Sequence, residues 1–198
     1  MWKAAWSIGG DRLRYDEALR AYPAATEQEI ADRAEMLRLC GELGDAILTR
    51  DSDTAHMTGS GFIVDESRTQ TLMVYHNIYR SWSWTGGHAD GDADLLAVAL
   101  REAEEETGVQ AQPLIETPIS LEIIPVFSHF KRGRYVRAHM HLNLSYALVA
   151  DIDAPLREKP DENSGVRWIP LDELAREVSE PPMLEVYQKI AARIQNMK

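Results

Sequence analysis

Apolar side chains recur at helical spacing in three parts of the chain. The first part follows the capping-box pair Thr26 and Glu29, and its spaced apolar positions are Ile30, Ala34, Leu37 and Leu43. The segments 94–107 and 184–194 show the same period. We therefore predict a helical region at residues 11–50, a central helix and a C-terminal helix.

Short apolar or alternating segments between these helices, bounded by turn-forming residues, are typical of β-strands. The predicted strands cover residues 61–64, 71–75, 119–127 and 135–149, and residues 77–84 are expected to be extended as well. An order of helices, strands, a central helix, strands and helices indicates an α+β chain, arranged as an α/β/α sandwich around a mixed sheet. We divide it into an N-terminal helical extension at residues 1–50 and a main domain at residues 51–198.

Length, charge and cysteine content narrow the class of protein. A chain of 198 residues fits one domain with an extension, and the single cysteine, Cys40, excludes an internal disulfide. The net charge of −11 disfavours binding to nucleic acid or to an anionic membrane. The apolar run within residues 1–10 is too short for a signal peptide, and no segment approaches the roughly 20 apolar residues of a membrane span. We expect a cytoplasmic protein.

Three glutamates share one face at the end of the predicted central helix. Glu102, Glu105 and Glu106 stand at positions i, i+3 and i+4, which places them within an arc of about 100°. Their repulsion disfavours the helix, and a divalent cation that prefers oxygen ligands would relieve it. Gly87 lies in the turn before the helix, and its backbone carbonyl could be a further ligand. The alternative is an ordinary solvated acidic helix end.

Residues 86–109 resemble the Nudix box, in which Gly, Arg-Glu, Glu-Glu and Gly stand at fixed spacings. The positions that match in register are Gly87, Arg101, Glu102, Ala103, Glu105, Glu106, Gly108 and Val109. The resemblance implies an α/β/α sandwich and a metal-dependent hydrolase. Its small-molecule substrate would contain a diphosphate linkage, usually a nucleoside diphosphate joined to a further group.

The same resemblance implies roles for individual residues. The carboxylates of the three glutamates and the carbonyl of Gly87 would hold Mg²⁺ or Mn²⁺. Arg101 would orient a glutamate. The general base that accepts a proton from water is left open between Glu105 and a carboxylate of a later loop, either Asp161 or Glu162.

One position departs from the Nudix pattern. Ala93 stands where the box has its first glutamate. Asp92 or Asp94 could substitute for that carboxylate from the neighbouring positions. Because the three glutamates implied as metal ligands are intact, we expect metal binding to survive this change, and we leave full catalytic competence open.

Polar and apolar residues alternate along the strand predicted at 135–149, and the polar face consists of His139, His141, Asn143 and Ser145. This face could contact the substrate or simply face solvent. We do not predict that His139 and His141 form a zinc pair, because no third soft ligand accompanies them at a diagnostic spacing. Tyr79 and Trp84 precede the box and could stack on a base of the substrate, with packing in the core as the alternative.

Other readings of the same pattern remain. A catalytically weak Nudix domain that senses a nucleotide is favoured by Ala93. An isomerase of isopentenyl diphosphate shares the fold, but its cysteine chemistry fits poorly with Cys40 in the N-terminal extension. RNA decapping conflicts with the acidic balance of the chain. The extension at residues 11–50 could cover a sheet edge, shape the substrate mouth or form a homodimer interface.

Overall fold

A computed structural model of the chain describes residues 12–131 and 133–197. Within them, eight strands form one mixed sheet: β1 (Ala55–Val64), β2 (Gln70–His76), β3 (Ser81–Ser83), β4 (Thr85–His88), β5 (Gln112–Pro113), β6 (Ser120–Val126), β9 (His139–Val149) and β10 (Asn163–Pro170). Strands β7 (His129–Lys131) and β8 (Arg134–Val136) form a separate hairpin. The expectation for residues 1–10 and the helical prediction at residue 11 lie outside the described residues.

The helices surround this sheet. Their bounds are α1 (Tyr15–Ala21), α2 (Glu27–Leu43), α3 (Leu95–Thr107), α4 (Leu174–Glu177) and α5 (Pro181–Gln195), with 3-10 turns at Gly44–Leu48 and Leu171–Glu173. The predicted capping pair begins α2, where the Thr26 side chain accepts a hydrogen bond from the backbone N–H of Glu29. No described helix combines the length and the apolar character that crossing a bilayer requires.

Strand β1 is the centre of the sheet. It pairs in parallel with β9 over ten residues, from Ala55 opposite Met140 to Val64 opposite Val149. On its other side it pairs antiparallel with β4 at its beginning and with β2 at its end. All ten residues of β1 are buried, because helices cover both faces of the sheet.

Two apolar clusters flank the sheet and confirm the α/β/α sandwich. One cluster joins α1, α2 and α3 to one face and includes Leu19, Met36, Val98 and Leu142. The other joins α4 and α5 to the opposite face and includes Phe62, Leu174, Tyr187 and Ile190. The first cluster contains side chains from residues 15–48 as well as from the sheet. The division at residue 50 therefore stays a prediction about sequence organisation.

Helix α3 lies directly on the backbone of β1. A β-carbon placed on Gly59 would stand 2.5 Å from the carbonyl oxygen of Leu95 and 3.3 Å from the β-carbon of Val98. Only glycine leaves room for this approach. The contact fixes how close the helix that carries the glutamates comes to the sheet.

The prediction that residues 77–84 are extended is wrong for its first half. Residues 77–80 form a turn in which the backbone of Arg80 is left-handed, with φ +52°, and only Ser81–Ser83 is a strand. The turn is anchored by the backbone N–H of Asn77, which donates to the carbonyl of Glu162 at 3.0 Å. The strand predicted at 135–149 is also interrupted, since β8 ends at Val136 and β9 begins at His139.

Replacing Gly59 with alanine should lower the free energy of unfolding by about 1–3 kcal/mol, because the added methyl group would meet the first turn of α3. Urea unfolding followed by circular dichroism measures this change. Gly41→Ala in α2 is the matched control, since no described atom lies within 4 Å of its added β-carbon. That control should gain up to about 1 kcal/mol from better helix propensity. Equal stability of Gly59→Ala and the unchanged chain would contradict the close packing.

Candidate metal and active site

Both ends of α3 are capped by residue types that favour these positions. Asp94 caps the start, where its carboxylate accepts a hydrogen bond from the backbone N–H of Ala97 at 3.0 Å. Gly108 ends the helix in the left-handed conformation, with φ +80°. These caps fix where α3 begins and ends, and the packing of its apolar face on β1 leaves its last-turn glutamates beside β4.

Three carboxylates converge at the end of α3, and we call them the acidic cluster: Glu102, Glu106 and Glu162. Their ligand oxygens lie within 4.8 Å of one another. Glu102 and Glu106 belong to the predicted metal trio, and Glu162 comes from the loop before β10, as one of the predicted general bases. Carboxylate oxygens at this spacing are the donor set that hard divalent cations such as Mg²⁺ and Mn²⁺ prefer.

Glu105, the third glutamate of the predicted trio, lies at the rim of the acidic cluster. Its carboxylate accepts a hydrogen bond from Nζ of Lys159 at 3.0 Å. The same ammonium group contacts Glu162 at 3.0 Å. Burial works against the charge of Lys159, but the hydrogen bonds with Glu105 and Glu162 outweigh it and raise the pKa of Lys159 above its usual value. One lysine therefore links the rim to the cluster.

Glu106 is the most deeply buried member of the acidic cluster, with 4% of its surface exposed. One carboxylate oxygen accepts a hydrogen bond from the backbone N–H of Gly86 at 2.9 Å. Burial, together with the charges of Glu102 and Glu162, raises the pKa of Glu106 to about 8. Burial and the neighbouring Glu105 also raise the pKa of Glu102. Such groups hold negative charge poorly until a cation binds beside them.

Gly87 lies against the carboxylate of Glu102. A β-carbon at Gly87 would collide with the carboxylate carbon and Oε1 of that glutamate. Gly87 pairs with Gly59 across β1 and β4, so both glycines face α3. The missing side chains let the backbone of β4 border the acidic cluster, next to the place where the Gly87 carbonyl was predicted to be a ligand.

Asn163 holds the loop that brings Glu162 to the cluster. Its side-chain amide donates to the carbonyl of Glu106 at 3.0 Å, and its side-chain oxygen accepts from the backbone N–H of Lys159 at 3.1 Å. Asn163 is 1% exposed. Sequence reasoning missed Asn163 and Lys159, since both lie in a polar stretch without a recognisable spacing. The other loop carboxylate, Asp161, is not among the three converging groups.

Asp92 provides a carboxylate for the arginine of the box. Nη1 of Arg101 lies 3.5 Å from Oδ2 of Asp92, whereas Asp94 caps the helix and pairs with Arg12 at 3.2 Å. Asp92 thus lies within reach of Arg101, and its substitution for the missing glutamate stays a prediction. Arg101 does not pair with Glu105 in the described contacts, so its predicted role in orienting a glutamate stays a prediction.

The aromatic residues predicted to contact substrate have different surroundings. Trp84 packs against α5, with its ring centroid 5.2 Å from that of Tyr187 and its backbone N–H donating to the Tyr187 hydroxyl at 3.4 Å. Tyr79 is 45% exposed on the turn before β3, with its ring 4.5 Å from that of His76. Trp84 thus contacts Tyr187 on one side, and Tyr79 is partly exposed, so neither contact decides whether these rings bind substrate.

The polar face of β9 does not face solvent. Asn143 and Ser145 are at most 1% exposed. Asn143 accepts hydrogen bonds from the hydroxyl groups of Thr58 and Ser60 at 2.9 and 2.8 Å, and it donates to Ser145 at 2.9 Å. The alternative of a solvent-facing strand is therefore wrong for this half of β9, because β1 supplies hydrogen-bonding partners on the same face.

The other half of the same face forms a histidine cluster, which we define as His56, His88, His139 and His141. Their ligand nitrogens lie within 4.8 Å of one another. Burial and the neighbouring histidines lower the pKa of His141 to about 2, and burial lowers the pKa of His56. Strand pairing brings His56 and His88 beside His139 and His141, a grouping that no spacing in the sequence indicates.

Comparison with known proteins adds an independent result. Residues 55–190 match the family model described as NUDIX domain. The bis(5'-nucleosyl)-tetraphosphatase (asymmetrical) of Rattus norvegicus is 35% identical over 95 residues, which cover 46% of this chain and 57% of that protein. The chain thus spans little more than half the length of this curated relative.

Two solved structures share the fold. A NUDIX-family hydrolase from Clostridium perfringens aligns with a TM-score of 0.55 at 17% identity, over 70% of this chain and 97% of that one. An Ap4A hydrolase from C. elegans, solved as a binary complex, aligns with a TM-score of 0.50 at 15% identity, over 71% of this chain and 98% of that one. The family model covers more than half of the chain and includes α3, its glutamates and the strands that support them, so this chain belongs to the NUDIX domain family.

Proposed function

We propose that the chain hydrolyses a diphosphate linkage in a nucleoside diphosphate derivative, with Mg²⁺ or Mn²⁺ held by Glu102, Glu106 and Glu162. The observation that carries this proposal is the convergence of these three carboxylates within 4.8 Å at the end of α3. Glu106 is buried and the other two carboxylates are half-buried, so water screens their repulsion only partly. A divalent cation between the carboxylates relieves that repulsion, and this relief favours its binding.

Individual residues then have separate roles in the hydrolysis. A Mg²⁺ or Mn²⁺ ion held by Glu102, Glu106 and Glu162 would supply positive charge for the diphosphate oxygens and would make water a better nucleophile. The water oxygen forms a new bond to one phosphorus while the bond from that phosphorus to the bridging oxygen breaks. Glu105 takes the proton of the water at the rim of the cluster, where Lys159 holds its carboxylate at 3.0 Å. Glu162 binds the cation rather than the proton.

The substrate class follows from the family and from the chemistry of the site. We propose dinucleoside polyphosphates, ADP-ribose and nucleotide sugars as the first substrates to test, since the rat relative carries the name of a tetraphosphatase. Contact of the substrate with Trp84, Tyr79, His139 and His141 stays a prediction, as do the cytoplasmic location and a homodimer. The exposed ring of Tyr79 is the best placed of these for stacking on a base.

A nucleotide sensor without turnover is the second candidate function. Ala93 at the first glutamate position favours it. The contact between Asp92 and Arg101 supports hydrolysis instead, because it places a carboxylate beside the arginine of the box. Calorimetry and a phosphate-release assay on the same substrate panel separate the two functions, because a sensor binds without releasing product.

Substituting each glutamate by glutamine should separate metal ligands from the proton acceptor. Glu102→Gln, Glu106→Gln and Glu162→Gln should weaken Mn²⁺ binding in calorimetry and lower turnover by about 100-fold or more, because charge stabilisation in the transition state is lost. Glu105→Gln should lower turnover similarly while keeping most Mn²⁺ affinity. Steady-state kinetics and titration with Mn²⁺ measure the two effects.

The matched control is Glu104→Gln, since Glu104 is an exposed glutamate on the same helix outside the acidic cluster. It should leave Mn²⁺ affinity and turnover unchanged. Full turnover in Glu106→Gln would overturn the proposed site. Loss of Mn²⁺ binding in Glu105→Gln would instead return that residue to the set of ligands.

Binding of Mn²⁺ should release a proton at pH 7. Glu106, with a pKa of about 8, is mostly protonated there, and the cation needs its carboxylate form. Affinity should therefore rise with pH up to about 8 and level off above it, by up to about tenfold per pH unit for one proton. Calorimetry in buffers of different ionisation enthalpy counts the proton. Absence of proton release at pH 7 would show that Glu106 is already ionised or does not bind the cation.

A further inference from the structure

A second group of ligands lies on the other side of β4 from the acidic cluster. Gly87 faces α3, and the next residue, His88, pairs with Thr58 and faces away from α3. His56 pairs with His141 across β1 and β9, and His139 lies two residues from His141 on the same face. Three strands that are far apart in sequence thus place four imidazoles together.

The rings of the histidine cluster are closely packed around His56. The centroid of the His56 ring lies 4.9 Å from that of His88, 4.8 Å from that of His139 and 5.1 Å from that of His141. Nε2 of His139 lies 3.2 Å from Nε2 of His141. Two nitrogens on one tetrahedral zinc ion lie about 3.3 Å apart, given Zn–N bonds of about 2.0–2.1 Å. The spacing of this pair matches two ligands of one ion, and it also matches a hydrogen bond between the two rings.

A buried nitrogen of His56 has no hydrogen-bond partner among the described residues. This atom is Nε2, and His56 as a whole is 5% exposed. A buried polar atom left in this state costs free energy. Coordination to a metal ion would remove that cost.

In His56 and His139, Nδ1 faces a backbone carbonyl, as it commonly does in metal-binding histidines. Nδ1 of His56 lies 3.2 Å from the carbonyl oxygen of Ser52, and Nδ1 of His139 lies 2.9 Å from that of Arg137. A carbonyl oxygen accepts only, so each Nδ1 carries the proton and donates it. In both residues the lone pair is then on Nε2, and Nε2 of His139 faces Nε2 of His141.

We propose that His56, His88, His139 and His141 form a transition-metal site for which Zn²⁺ is the occupant. Imidazole nitrogens select zinc and its neighbours, whereas the carboxylates of the acidic cluster select Mg²⁺ or Mn²⁺. Four protein ligands close the coordination of zinc, which is typical of a structural site. The ion fastens β1, β4 and β9 together, and this inference is independent of the proposed hydrolysis.

Metal content of the full chain tests the site. The protein is incubated with Zn²⁺, passed through a desalting column and analysed by mass spectrometry of the metal. The unchanged chain should retain about one Zn²⁺, and a concentration of 100-fold over Kd should raise the Tm by about 5–10 °C. The double variant His139→Gln/His141→Gln should lose both the retained zinc and the rise in Tm.

Two controls locate the zinc. His129→Gln removes a histidine outside the cluster and should retain zinc fully. Glu102→Gln/Glu106→Gln should also retain it, so failure of the proposed hydrolysis leaves this result intact. The proposal is overturned if the unchanged chain retains no zinc, if the double histidine variant retains as much, or if the double glutamate variant loses it.

Cobalt substitution makes the test independent of how the variants fold. Co²⁺ added to the unchanged chain should produce the visible absorption of a tetrahedral nitrogen-ligated ion, and Zn²⁺ should displace it. A spectrum identical to that of hydrated Co²⁺ would contradict the site.

Discussion

The close contact between α3 and the backbone of two strands is the constraint on which the rest of the site depends. At Gly59 the helix reaches the sheet without an intervening side chain, and at Gly87 the same absence makes room for the carboxylate of Glu102. Larger residues at these positions would push the helix away from the sheet. Glu102 and Glu106 can approach Glu162 and the edge of β4 only because α3 packs this close to the sheet.

This arrangement is electrostatically unfavourable on its own. Glu106 is buried next to Glu102 and Glu162, and burial and charge together raise its pKa to about 8. The nearby cation Lys159 is already shared between Glu105 and Glu162. Divalent cations bound at these carboxylates, as proposed, would offset the net charge of −11 where a polyphosphate binds.

Sequence reasoning succeeded where the information is local. Helix α3, its caps and the face shared by Glu102 and Glu106 follow from spacing within one segment, and the matched family confirms the resemblance drawn from residues 86–109. The burial of Asn143 and Ser145 could not be predicted, because their partners Thr58 and Ser60 come from a strand about 85 residues earlier.

The grouping of the four histidines and the position of Glu162 could not be predicted either, because they too depend on contacts between distant segments. The parallel pairing of β1 with β9 brings His56 beside His141, and no spacing in the sequence reports which strands are neighbours. Asn163 joins the loop of Glu162 to α3 through a hydrogen bond to the Glu106 carbonyl, and a second hydrogen bond, from the backbone N–H of Lys159, holds the loop itself. Residue types in one segment could be interpreted alone, whereas residues joined by sheet topology could not.

Crystals grown with Mn²⁺ and a non-hydrolysable dinucleoside polyphosphate test the central claim most directly, by anomalous scattering at the manganese edge. The account predicts an anomalous peak bounded by Glu102, Glu106 and Glu162, with the polyphosphate against it. A fully bound polyphosphate with no manganese peak beside these three carboxylates would contradict the account.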